Sequence, residues 1–140
     1  MTLPRPPRPA RLPYAVGLAM LLSVPGCAGQ GSADDGSAAA AALRFTRDLA
    51  ASPSEACGLL APQTLKELED SQGSCPSSLP GLDLPRAAAV RSTEVYAKDA
   101  IVRLDKDTVF LARFDQGWRV TAAGCTPHGD LPYDCTLKGG

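Results

Sequence analysis

Four cysteines in the body of the chain, Cys57, Cys75, Cys125 and Cys135, are the residues whose chemistry is easiest to name. Paired thiols in an oxidising compartment form disulfides, and four cysteines allow three connectivities. Pairing between sequence neighbours is expected, Cys57 with Cys75 and Cys125 with Cys135. Cys57 falls on a predicted helix and Cys75 just past the next one, while Cys125 ends a long predicted strand and Cys135 begins the terminal stretch. Closing a loop of about 15 residues contributes about 3 kcal/mol in the chain-entropy treatment. Four thiolates holding zinc, or free thiols, are the alternatives; no Cys-x-x-Cys spacing supports the zinc site.

The fifth cysteine, Cys27, follows a different kind of segment. Arg5, Arg8 and Arg11 precede an apolar run from Pro13 to Val24, closed by Pro25 and Gly26. That run is too short to span a bilayer, which takes about 20 residues, and it has the layout of a signal peptide over residues 1–26. Val24, Pro25, Gly26 and Cys27 resemble the bacterial lipobox, in which a small residue precedes a cysteine that is lipidated and becomes the mature N-terminus. The resemblance implies acylation of Cys27, palmitate included, and a place on the outer face of the cell membrane. Each buried acyl methylene contributes about 0.8 kcal/mol, so two or more chains anchor a protein that has no transmembrane helix.

The leader contains three basic residues and no acid, so the rest of the chain has 11 basic and 15 acidic residues, a net charge of −4. An acidic body excludes nucleic acid as a natural partner. Residues 27–41 read as a flexible tether, because 28–37 has no large apolar side chain and is rich in Gly, Ser and Asp. Residues 42–140 form the single expected domain. Ala42, Phe45 and Leu49 recur at helical spacing, with Arg44 and Asp48 as an i,i+4 pair. Ser52, Pro53 and Glu55 start a second helix, and Thr64 with Glu67 has capping-box spacing before a third, which Gly73 ends. Pro76, Pro80, Gly81 and Pro85 read as an irregular crossover.

After that crossover the period shifts to that of strands. Stretches 90–97, 100–104, 108–114 and 118–123 are rich in Val, Thr, Ile and aromatics and are separated by short turns, an antiparallel meander of about four strands. Phe110, Ala112 and Phe114 share one face, as do Trp118, Val120 and Ala122, and both sets are expected to meet the helices. Helices followed by strands make the class α+β.

The run FLARFDQGWRVTAAGCTPHGDLPYDC, together with Cys57 between Ala56 and Gly58, resembles a group of small actinobacterial lipoproteins through GWRVTAAGC and PYDC. The resemblance implies an NTF2-like (cystatin-like) cone, with helices packed on a curved antiparallel sheet, and carries no activity with it. Tyr133 and Asp134 evoke the Tyr and Asp chemistry of enzymes on such folds, but neighbours on a strand point to opposite faces. His128 is the chain's one histidine and reads as a surface residue. Trp118 reads as core, with a pocket wall as the alternative. Asp99, Asp105, Asp107 and Asp115 sit at turns without the spacing of a calcium loop. No catalytic, cofactor-binding or metal-ligating residue is assigned, and an enzyme is not expected. The expected function is binding of a protein or cell-envelope partner, with transport or sensing of a small apolar ligand in the concave face as the alternative.

Overall fold

The computed structural model describes residues 2–10 and 29–139; the leader's apolar run and Cys27 lie outside them. Residues 2–10 are exposed and have no regular structure. Among the described residues no helix is long and apolar enough to cross a membrane.

Ala38, Ala42, Phe45 and Leu49 form the buried stripe of the first helix, α1 (Gly29–Ala51). This helix corrects the expected tether over 27–41, since most of that stretch is helical. Its Gly and Ser residues are weak helix formers, and tertiary contact overrides them. Buried Ala38 packs into the core, and Asp34 Oδ2 lies 2.7 Å from Arg113 Nη2 on the sheet. The Arg44–Asp48 pair forms at 3.5 Å.

Pro53 opens α2 (Pro53–Gly58) and Pro62 opens α3 (Pro62–Gln72), first-turn positions where the missing N–H costs nothing. Neither expected capping box forms. Ser52 is the N-cap of α2 but makes no side-chain cap bond. The N-cap of α3 is Ala61, and buried Thr64 instead donates its hydroxyl to the Thr121 carbonyl at 3.0 Å. Gly73 ends α3 with φ of 90°. The crossover is more regular than its prolines suggest. Pro76 and Pro80 each sit in the first turn of a short helical piece, α4 (Cys75–Ser78) and a 3₁₀ turn (Leu79–Leu82).

Five strands follow: β1 (Val90–Tyr96), β2 (Asp99–Leu104), β3 (Thr108–Phe114), β4 (Gly117–His128) and β5 (Leu131–Lys138). They lie in chain order, each antiparallel to the next. The expected four strands are therefore five. The fifth has weak alternation and contains Pro132, and Pro127 on β4 falls in the register break between Thr126 and His128, where a ladder N–H is dispensable.

The expected inner face of β3 is also corrected. Val102 pairs with Val109 and Ala100 with Leu111, and residues directly opposite share a face. The buried set of β2, Ala100, Val102 and Leu104, therefore draws Val109 and Leu111 inward and sends Phe110, Ala112 and Phe114 to the other side. On β4, Trp118 and Val120 go inward as expected. A register shift then puts Ala122 opposite Phe110 and buries Ala123 instead. The helical half is bonded to this sheet through the residues between α2 and α3: Val120 donates to the Leu59 carbonyl and accepts from the Ala61 N–H, both at 2.8 Å.

Candidate functional site

Period-2 alternation places Glu94 and Tyr96 of β1 on the sheet face turned away from the helices, where Ile101 and Arg103 of β2 also point. Arg103 Nη1 donates to Glu94 Oε1, and the Tyr96 hydroxyl donates to Glu94 Oε2. The Arg103 guanidinium also faces the Tyr133 hydroxyl on β5. The Tyr133 ring in turn meets Phe110 of β3 edge-on, with centroids 5.1 Å apart. One guanidinium, one carboxylate, two phenols and a phenyl ring, carried by four strands, thus form a connected patch that is open to solvent. The Arg103 and Glu94 side chains are 36% and 42% exposed.

The electrostatics of this patch fix the charge state of each of its groups. Glu94 is held below the ordinary carboxylate range by the Tyr96 hydroxyl first and Arg103 second. The Tyr96 phenol is raised by its bond to Glu94, and Arg103 is raised by Tyr133 and then Glu94. Every shift moves a group further from neutral pH. A general acid or base needs the opposite, a pKa near the working pH. Both Glu94 oxygens are also engaged, so the network presents guanidinium N–H groups and phenol oxygens beside an aromatic edge rather than an idle base.

The residues singled out in the sequence have separate fates. Cys57 and Cys75 are bridged, joining α2 to α4 rather than to α3, and Cys125 is bridged to Cys135, its direct partner across β4 and β5. Cys27 lies outside the described residues. His128 is exposed at the end of β4. Tyr133 and Asp134 do not converge: Tyr133 is half-buried against Phe110, and Asp134 is exposed. Trp118 is buried, with the Arg113 guanidinium 4.7 Å from its ring centroid. That cation–π contact and the Asp34 ion pair fasten the start of α1 to the sheet.

Two of the turn aspartates do more than punctuate. Asp105 Oδ1 accepts from the N–H groups of Ala88 and Ala89, at 2.9 and 3.3 Å, and clamps the crossover to the β2–β3 turn. Those bonds hold its carboxyl below the ordinary range. Asp107 is buried and accepts three backbone N–H groups, from Thr108 at 2.7 Å, Gly124 at 2.9 Å and Cys125 at 3.0 Å. Burial pushes its carboxyl up, against the opposing pull of those donors. The β4 backbone it grips is tightly packed: Gly124 has φ of 65°, and a Cβ there would lie 2.9 Å from Leu84 Cδ2. Asp107 therefore positions the strand segment that bears Cys125.

Sequence reading missed Glu94 and Arg103, and it placed Asp107 at a turn without its grip on β4. For the first two a signal exists, because the two-residue turn at 97–98 fixes the β1–β2 register, which puts both residues on the same face as Tyr96. Asp107 carries no such signal, since its partners are backbone amides 17 and 18 positions away. Among the described residues no group of His, Cys, Asp or Glu is arranged to hold a metal ion. Comparison of the chain with protein-family models, with curated proteins and with solved structures finds no match.

Proposed function

We propose that this chain is an exported lipoprotein, acylated at Cys27 and held on the outer face of the cell membrane, whose NTF2-like (cystatin-like) domain is non-catalytic and binds a protein or cell-envelope partner. The supporting observation is the contrast between a filled interior and an open outer face. Phe45, Leu79, Val102, Val109, Leu111 and Val120 are fully buried between helices and sheet. The pocket against them, at Leu49, Leu79 and Leu84, has a cavity of about 20 Å³. That is room for one water, so the packed interior supports the partner reading over a carrier, and the larger hollows, of about 420 and 440 Å³, are open grooves beside α3 and α1. The patch of Glu94, Arg103, Phe110 and Tyr133 instead offers fixed donors and an aromatic edge to a partner.

Photo-crosslinking from position 101 in intact cells tests the binding reading. A discrete adduct should form, should be lost in Arg103→Glu, and should persist in Arg47→Glu on the helical side. Adducts that ignore Arg103→Glu would overturn the assignment of the face. A stoichiometric small molecule released from the native protein in mass spectrometry would transfer the function to the carrier alternative.

A further inference from the structure

The sequence reading places a flexible tether between Cys27 and the domain, whereas the structure starts α1 at Gly29, with Ala28 alone in between. The same helix continues without a break into the core at Ala38, Ala42 and Phe45. It is also clamped at Asp34, whose carboxylate pairs with Arg113. From Gly29 to Asp34 is about 8 Å of helix, and two further residues add at most about 7 Å. An acyl anchor on Cys27 therefore holds Asp34 within about 15 Å of itself, a distance set by helical rise and extended chain length, and through the Asp34–Arg113 pair it holds one particular end of the sheet near the lipid.

That end is identifiable. Arg113 donates its backbone N–H to the Lys98 carbonyl, so the start of α1, the β1–β2 turn at 97–98 and the β3–β4 turn at 115–116 lie together. The later part of α1 lies at the opposite end, where the Thr46 hydroxyl is 3.0 Å from the Ala87 carbonyl, just ahead of β1. The anchored end carries Tyr96, 58% exposed, and Phe114, 38% exposed. Lys98, Asp99 and Asp115 are exposed around them. Aromatic rings with polar surroundings are the side chains that settle at the boundary between headgroups and acyl chains. The mixed charges give no strong attraction to anionic lipid, so proximity must come from the anchor and contact from the rings.

We infer that the β1–β2 and β3–β4 turns, with Tyr96 and Phe114, form a lipid-contacting edge that seats the domain on the bilayer in one orientation. This inference rests on acylation of Cys27. The seated domain leaves the far end of the sheet, with Leu131 at its β4–β5 turn, directed away from the membrane.

The test uses the mature lipoprotein in phosphatidylcholine vesicles whose acyl chains carry bromine, a short-range quencher of indole emission. Phe114→Trp should lose most of the emission it adds over the parent protein. Leu131→Trp, at the opposite end, should lose none. Flotation with the vesicles and an intact mass raised by acyl chains check the anchor separately. Protein that fails to float disproves acylation and removes the basis for the seating. Protein that floats but gives Phe114→Trp no more quenching than Leu131→Trp overturns the seating alone. Hydrogen exchange on the unsubstituted lipoprotein gives an independent reading. Amides at 96–99 and 114–117 should exchange more slowly in vesicles than in detergent, and equal rates would also overturn it.

Discussion

Along β3, Val109 and Leu111 are at most 1% exposed, while Phe110 between them stays half-buried on the opposite face and Phe114 reaches solvent. One strand thus supplies two surfaces of different purpose. The inner set is chosen by shape and packs against α1 and the paired strands. The outer set carries the larger rings, yet leaves Phe110 on the edge of Tyr133 and Phe114 at the β3–β4 turn, where they contribute less to folding and remain open to contact. The position of the biggest apolar residues does not identify the core here; cross-strand pairing does.

The sharpest test of that difference is truncation on each side. Leu111→Ala should lower unfolding stability by about 2–5 kcal/mol, read as a shift in the urea midpoint, and Phe110→Ala should cost clearly less despite removing a larger side chain. Equal losses would abolish the distinction between the faces. Next in size come the disulfides, one under the helices and one in the outer hairpin. Replacing either pair by serine should cost about 2–5 kcal/mol. The Cys57–Cys75 loop, with a separation of 18 against 10 for Cys125–Cys135, should cost more, by about 0.5 kcal/mol in the chain-entropy treatment.

Asp107→Ala strips an acceptor from the amides of Gly124 and Cys125 and should cost about 1–3 kcal/mol. Its pH dependence has a definite sign. The folded pKa is raised above the ordinary 3.8, so the stability it contributes is complete below that value and is lost as pH rises through the folded pKa. Asp107→Asn should flatten this part of the stability–pH profile, and an unchanged slope would remove Asp107 as its source. The smallest effect belongs to the outer face. Arg103→Ala should leave the urea midpoint where it is, because its ion pair is exposed to solvent. A large shift would make the patch a structural element and remove it as the proposed recognition surface.

Much of this architecture is legible in the residues. Pro53 marks a helix start, Gly73 marks a stop, and Ala42, Phe45 and Leu49 mark a buried stripe, all through local rules. The neighbour pairing of the cysteines is equally local. What escaped depends on long-range choices. Phe110 and Leu111 are equally plausible as core until β2 sets the register. The early part of α1 is held to the sheet through Arg113, which is 79 positions from Asp34 and unrelated to helix propensity. The open-face site needed the β1–β2 register as well as Tyr133, which a strand missing from the sequence reading brings to Arg103.

The disulfide pattern also bears on the order in which the molecule can be made. One bridge closes among the helices and the other inside the β4–β5 hairpin, and neither loop encloses the other. A chain that emerges N-terminus first can join Cys57 to Cys75 while both later cysteines are still unmade or out of reach. By the time Cys125 and Cys135 meet across their hairpin, neither Cys57 nor Cys75 is left as a thiol to capture either one. Of the three possible connectivities, the native one is therefore also the one that sequential oxidation delivers without reshuffling.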